Sequence, residues 1–434
     1  MKSIKLTDEA FVGPDVKDAP SAMPPSSPRP KAWNVMWFVM ESVGSQYVFD
    51  RSFGNEVPMP FLQRIAREGL SLTQHWAASN TSARAGFSLF TGIYPPCEER
   101  DISTDPEVRL PTINRFLGES YNCIVLNPSS TTFCFPRPLL ANNGVKDIYD
   151  RDSIPAGRNP DPCALARNEI DSMSFFLAKV DEAPKPLFAA YWSFIPHHPY
   201  SNYGANEIFQ AVRPDKRREY YKNLRVLDQQ LERAFVHLQE KNLLKDTILF
   251  FVGDHGESFG QHADHWGHTL GTFDERYKTP AIFYQPELFP PSEVTRNTSH
   301  VDVLPTLLDA MGIPYNANVL SGESVLQRPR RKYIFTISGL GDHLSLVSNN
   351  QLKVSIPFET EEEAYAYDLS KDPGETVRLR AENYPDQLEA LVKFRNYQSR
   401  VVEDYHNSMK SGASLHGQPL ARRKELPVMA QRQN

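Results

Sequence analysis

The sequence predicts an α/β fold: a largely parallel central sheet sandwiched by helices, with a small C-terminal antiparallel sheet plus helix after it. Three observations predict it. Short, apolar, β-rich runs alternate with helical segments from Trp33 to Met311. Two of these runs end in carboxylates, at Glu41 and at Asp254, the edge where ligands bind in open α/β sheets. Beyond about Tyr315 the chain changes to short strands separated by Asn- and Gly-containing turns.

The elements follow in order. Trp33–Met40 reads as a buried strand, and Pro60–Gly69 as a helix closed by glycine. Tyr121–Leu126 and Phe188–Trp192 read as further strands. Residues 217–241 carry helical periodicity through Tyr221, Leu224, Leu227, Leu231 and Phe235, and lead into a strand over Thr247–Val252. Ala281–Tyr284 reads as a short strand and Val303–Met311 as a helix. Lys332–Ser338, His343–Ser348 and Gln351–Ile356 read as the strands of the small antiparallel unit, with a helix over about Tyr384–His406.

Bulk composition narrows the function classes. The 434 residues suffice for one large domain and a smaller one, and 40% hydrophobic with 23% charged residues is ordinary for a folded protein. A net charge of -6 without a basic stripe argues against nucleic acid as a partner. The longest apolar run, Trp33–Met40, is too short to span a membrane. The N-terminus lacks the apolar core of a secretory signal, so a cytoplasmic location is expected. Cys97, Cys123, Cys134 and Cys163 have no metal-type spacing and are expected as free thiols. Residues 1–32, with six prolines, read as a disordered leader, and 409–434 as a flexible tail whose basic cluster Arg422–Lys424 is solvated.

The chemistry concentrates in FVGDHGESFGQHADHWGHTLGTFDERYKTP, residues 251–280, where four histidines begin at a strand end. A solvated loop is the alternative reading, but such density is unusual for an ordinary surface. Asp254, His255 and Glu41 fall on one sheet edge, a plausible three-ligand set for a divalent ion with one position open. The stretch Ser79-Asn-Thr-Ser-Ala-Arg-Ala-Gly86 supplies hydroxyls and an arginine ahead of an apolar helical segment. A Thr or Ser at a helix N-terminus, bound to a metal, could ionise and attack phosphorus or sulfur. On this stretch alone, an N-cap Thr or Ser is the favoured reading.

The order and content of WNVMWFVMES, PFLQRIAREGLSLTQHWA, FTGIYP, PHHPY, TILFFVGDHGESFGQH, WGHTLGTFDE, SHVDVLPTLLDAMGIP and YDLSKDPGE resemble the sulfatase-like branch of the alkaline phosphatase superfamily, over roughly residues 33–375. The resemblance implies a sulfatase-like catalytic domain over 33–315 and a small α+β subdomain over 316–408. It implies one divalent metal ion held by Glu41, Asp254 and His255, with the nucleophile Thr81 as a further ligand. Zinc comes first, with manganese or calcium as alternatives. His197 and His268 match residues that contact the transferred group or protonate the leaving oxygen. Arg84, His262 and His265 are candidates for substrate contact, with a wall or supporting role open for the two histidines. Asp302 and Pro305 match structural positions, and His198 and His300 read as packing or loop residues.

The departures shape the functional expectation. Sulfatases carry a Cys/Ser-x-Pro-x-Arg motif converted to formylglycine and paired Asp residues after strand one. Here the stretch is Thr81-Ser82-Ala83-Arg84 without proline, and strand one ends in a lone Glu41. That combination is similar to phosphoethanolamine transferases and lipoteichoic acid synthases, which use an unmodified Thr. The expectation is a metal-dependent hydrolase of phosphoric monoesters or diesters acting through a covalent Thr81 intermediate. Ser82 stands as the alternative nucleophile. Sulfuric ester hydrolysis and transfer to another acceptor remain open, as does a catalytically inactive binding protein. The partner is a small phosphate or sulfate ester.

Overall fold

The computed structural model describes residues 31–50, 56–97, 110–130, 137–201, 216–263, 265–269, 271–358 and 363–410. Nearly all of the expected leader, most of the expected tail, and Cys134 lie outside the described residues. Cys123 and Cys163 are free thiols.

The central sheet has eight strands, in the order Ser292–Val294, Leu70–Leu72, Ala281–Tyr284, Thr247–Gly253, Asn34–Met40, Leu187–Trp192, Asn122–Leu126 and Asp147–Tyr149. Pairing is parallel through the middle, whereas Ala281–Tyr284 runs antiparallel to both of its neighbours. All seven residues of Asn34–Met40 are buried, which explains why that strand reads as a continuous apolar run. Its side chains alternate between two cores. Val35, Trp37 and Val39 meet helices Ser82–Thr91 and Val303–Met311 on one face. Met36, Phe38 and Met40 meet Pro60–Glu68, Glu169–Glu182 and Lys216–Glu240 on the other.

Two kinds of element escape the sequence patterns. Leu70–Leu72 and Ser292–Val294 are three residues each, too short to show a period of two. Helix Glu169–Glu182 has a weakly amphipathic pattern, and its clearest local signal is Asn168, whose side chain accepts a hydrogen bond from the Ile170 N–H.

The second sheet is antiparallel, with strands Tyr333–Ile337, His343–Ser348, Leu352–Pro357, Tyr365–Asp368 and Leu379–Arg380 paired in chain order. Helix Pro385–Lys410 packs on it, with Leu391 and Phe394 among Leu344, Leu346 and Val354. A buried ionic cluster ties this sheet to the segment behind the histidine-rich loop. The Lys353 ammonium lies 2.9 Å from Asp274 Oδ1 and 2.7 Å from Glu375 Oε1. Burial alone would lower the Lys353 pKa, but the two carboxylates outweigh it and hold the lysine charged. No described helix is long and apolar enough to cross a membrane.

Candidate active site

Four adjacent strands deliver polar residues to one sheet edge. Met40 pairs with Gly253 in the parallel register, so Glu41 and Asp254, one residue further on, emerge side by side. Ser193 follows Leu187–Trp192, and Asn127 follows Asn122–Leu126, on the two strands next in line. The backbone fixes this edge: the Asp254 N–H donates to the Met40 carbonyl at 3.1 Å and the Ser193 N–H to the Val39 carbonyl at 2.9 Å. Ser42 adopts φ 55°, a left-handed conformation unusual for serine, and its N–H donates to Asp254 Oδ1 at 2.8 Å.

Glu41, Asp254 and His255 are all buried, and their ligand atoms lie within 4.8 Å of one another. His255 Nε2 is 3.5 Å from Glu41 Oε1 and 3.7 Å from Asp254 Oδ2. The chemistry of this set fits a divalent cation. Asp254 Oδ1 accepts from the Ser42 and His255 N–H groups, while Oδ2 is buried with no hydrogen-bond partner. An orphaned carboxylate oxygen is costly unless a cation takes it. Burial pushes Glu41 well above the usual carboxylate range, and nearby Asp254 adds to the effect. Burial likewise raises Asp254 and lowers His255 well below the ordinary imidazole range, so the histidine is neutral, as a ligand must be. The His255 Nδ1 lies 2.9 Å from the Gly256 carbonyl. A proton on Nδ1 makes that hydrogen bond and leaves the Nε2 lone pair facing the carboxylates.

The hydroxyl that joins this cluster belongs to Ser82, not to Thr81. Ser82 Oγ lies 3.0 Å from Glu41 Oε2 and 3.2 Å from His255 Nε2. Thr81 is the N-cap of helix Ser82–Thr91, with extended backbone at φ -133° and ψ 141° and no side-chain cap hydrogen bond. Its side chain packs against Gly339, where an added Cβ would lie 2.0 Å from the Thr81 methyl. The one-residue step from cap to first helical position turns the two hydroxyls in different directions. The geometry thereby corrects the expected placement of Thr81 among the ligands. Ser82 is the first residue of a helix of ten residues, where unpaired N–H groups and positive partial charge gather.

Two histidines flank the cluster. The His268 ring lies 4.2 Å from that of His255 and 6.0 Å from that of His197, centroid to centroid. His268 Nδ1 is 3.2 Å from Glu257 Oε2, and Glu257 is itself buried. Burial works to raise the Glu257 pKa, yet the hydrogen bond from His268 and the surrounding imidazoles together hold it below its ordinary value. Glu257 is therefore a carboxylate that orients the ring. His197 stacks on Phe194, and burial lowers its pKa. Its ring lines a small pocket together with Glu41, Ser82, Asn127, Ser129, Trp192, Ser193 and Phe194.

The other expected contacts lie elsewhere. The Arg84 guanidinium donates to the Pro96 carbonyl at 3.0 Å, near the far end of its helix. His262 engages both ring nitrogens, with Glu275 Oε1 at 3.0 Å and the Gly374 carbonyl at 2.9 Å, and stacks on Phe273. It is a strut between the histidine-rich loop and the segment carrying Glu375. His265 packs edge-on to the same Phe273 ring. For His262 and His265 these contacts fit the wall or supporting role left open above, and Arg84 is held by the Pro96 carbonyl. His300 is buried, with Nε2 3.1 Å from the Gly253 carbonyl, and Asp302 pairs with Arg331 behind the site. His198 is bonded to the Lys216 ammonium at 3.2 Å. Asn127, Ser129, Ser193 and Glu257 join the site without standing out in the sequence as candidates. Asn127 and Ser193 carry the same signal as Glu41, a polar residue directly after a buried strand.

Comparison with known proteins agrees with this architecture. The family model described as Sulfatase matches residues 33–313. Arylsulfatase K of Gallus gallus is 28% identical over 287 residues, covering 57% of this chain and 52% of that one. The chain thus spans about half the length of that curated relative. In fold it is similar to a lipoteichoic acid synthase from Listeria monocytogenes, with a TM-score of 0.71 at 16% identity over 86% of this chain and 93% of that one. It is also similar to a phosphonate monoester hydrolase of Agrobacterium radiobacter, with a TM-score of 0.62 at 17% identity over 86% and 96% of the two chains.

Proposed function

The chain belongs to the sulfatase family, and we propose that within it the protein is a metal-dependent hydrolase of phosphoric esters, monoesters or diesters, that works through a covalent intermediate on Ser82. One observation carries the reading. A serine hydroxyl at the start of a buried helix meets a carboxylate and an imidazole of the candidate metal set at 3.0 and 3.2 Å. Ser82 takes the role that sequence patterns alone give to Thr81.

A divalent ion held by Glu41, Asp254 and His255 would lower the pKa of the neighbouring hydroxyl and offset charge on the ester oxygens. Zinc, then manganese, suits mixed carboxylate and imidazole ligands. Ser82 Oγ attacks phosphorus in line with the leaving oxygen, so that the Oγ–P bond forms as the ester P–O bond breaks. The hydroxyl proton departs along the hydrogen bond to Glu41. Helix N–H groups and the His197 ring steady the spreading charge. His268, with Nδ1–H donated to Glu257, protonates the leaving alkoxide through Nε2. It then accepts a proton from the water that opens the phosphoserine.

Phosphorus is favoured over sulfur by the chemistry of the nucleophile. An unmodified serine lacks the geminal hydroxyl of the aldehyde hydrate, so its ester must be opened by attack of water on the transferred group. The similarity to an arylsulfatase favours a second reading, sulfate ester hydrolysis at the same site. Turnover of p-nitrophenyl phosphate, bis-p-nitrophenyl phosphate and p-nitrophenyl sulfate by metal-replete enzyme decides between them. The phosphates should be cleaved much faster; equal or faster sulfate release would replace the first reading with the second.

Glu257→Gln tests the acid. It keeps the size of the side chain but removes the charge that steadies a protonated His268. Turnover of alkyl esters should fall roughly 10- to 100-fold, part of the 10²–10⁴ that general acid–base catalysis supplies. The p-nitrophenyl esters, which leave without much proton donation, should lose far less. An equal loss on both kinds of ester would remove His268 from the acid role.

A further inference from the structure

The described chain leaves one tryptophan open to solvent, two residues before His268. Trp266 is 59% exposed, whereas Trp33, Trp37, Trp76 and Trp192 are 5% exposed or less. It occupies strand Trp266–Gly267, paired antiparallel with Ser258–Phe259. His268, whose imidazole packs on that of His255, follows after a single residue, so the two backbone positions are at most about 7 Å apart.

The ring has a built seat. A Cβ added at Gly260 would lie 2.9 Å from the Trp266 ring, so the indole rests on bare backbone that only glycine leaves accessible. Gly260 also has φ +75°, a conformation that L side chains rarely adopt. The Gly260 N–H donates to the His265 carbonyl at 3.0 Å, and Arg276 Nε donates to the Gly267 carbonyl at 3.0 Å. The residues on both sides of Trp266 are thereby pinned while the ring itself stays in water. A large aromatic surface held rigid and exposed is unfavourable unless something covers it.

We propose that Trp266 is a stacking platform for the organic part of the substrate, and that the enzyme prefers esters carrying a ring that can lie on the indole, a planar aryl group or the apolar C–H face of a pyranose, over small alkyl esters. This rests on the ester hydrolase reading above, since it places the reacting group at Ser82. Leu340 supports the same placement. It is 49% exposed, and the preceding Gly339 N–H donates to Asn80 Oδ1 at 2.6 Å, two residues before Ser82. Exposed apolar side chains thus stand on two segments, one leading into His268 and one bonded to the turn before Ser82.

Two measurements test the proposal, one of them independent of turnover. For Trp266→Ala, the ratio of kcat/KM between phenyl and methyl esters of the same acid should fall about 10-fold, and Trp266→Phe should restore most of it. A glucopyranosyl ester tells a sugar-directed platform from an aryl-directed one. Equal losses on ring-bearing and methyl esters, or no loss on either, would overturn the proposal. With the other described tryptophans buried, acrylamide quenching of fluorescence reads Trp266. Phenylphosphonate should shield it and methylphosphonate should not, whereas failure of phenylphosphonate and of glucose phosphate to shield it would refute stacking. If no ester is hydrolysed and phenylphosphonate still shields the ring, the hydrolase reading fails and the platform stands.

Discussion

Ser82→Ala should lower turnover of the best phosphate ester by on the order of 10⁴-fold, with the fold and the bound metal retained. The serine contributes one hydroxyl to a cluster whose other members, Glu41, Asp254 and His255, are held by strand ends and backbone hydrogen bonds that do not involve it. Alanine is also a good helix former at that first helical position. The loss should therefore fall on the chemical step, not on stability. Thr81→Ala is the matched control. Its hydroxyl makes no capping bond, and its side chain packs on Gly339, so most of the activity should remain. Acid-quenched enzyme taken during turnover should carry a phosphoryl group on the peptide containing Ser82. A label on Thr81, or a Thr81→Ala protein as inactive as Ser82→Ala, would show the nucleophile to be misplaced by one residue.

Asp254→Asn should abolish tight metal binding and most activity while leaving the metal-free protein at least as stable as wild type. Asparagine keeps an oxygen at the Oδ1 position to accept from the Ser42 and His255 N–H groups. Its amide nitrogen replaces the orphaned Oδ2 and cannot serve as an anionic ligand. Removing one of two neighbouring buried carboxylates also relieves their repulsion. The pH dependence gives a second readout. Burial raises both Glu41 and Asp254 in the folded state, so each favours folding below its unfolded pKa of about 4 and loses that contribution as pH rises through the folded value. Metal-free wild type should lose Tm relative to the variant as pH climbs from about 4 toward neutrality. Metal at a thousandfold excess over Kd should stabilise wild type by about 4 kcal/mol, and the variant far less. Equal stabilisation of both proteins by metal would remove Asp254 from the site.

Much of this was legible in the chain itself. Parallel strands buried on both faces announce themselves as apolar runs, and the polar residue directly after such a run lands on the binding edge whatever the details of packing. That rule points to Glu41, Asp254 and His255, which the fold brings together as a candidate ligand set, and applied to Phe188–Trp192 and Tyr121–Leu126 it also points to Ser193 and Asn127. The antiparallel C-terminal sheet followed from its turn residues, because short strands joined by tight turns are specified locally.

Tertiary structure alone decided which side chains face inward. Thr81 and Ser82 are equivalent by residue type, and only the onset of the helix at Ser82 sends one hydroxyl to Glu41 and the other to Gly339. Among the histidines of the 251–280 stretch, His255 and His268 meet at the site, while His262 and His265 are taken by Phe273, and His262 also by Glu275 and Gly374. Composition cannot make that division, because a loop has no fixed period and each ring goes to whichever partner the surrounding fold supplies. The strut from Gly374 comes from more than 100 residues away in the chain. The sequence by itself thus determined the scaffold and its reactive edge, whose elements are set by local patterns of burial. The assignment of each hydroxyl and imidazole was left to contacts between segments distant in the chain.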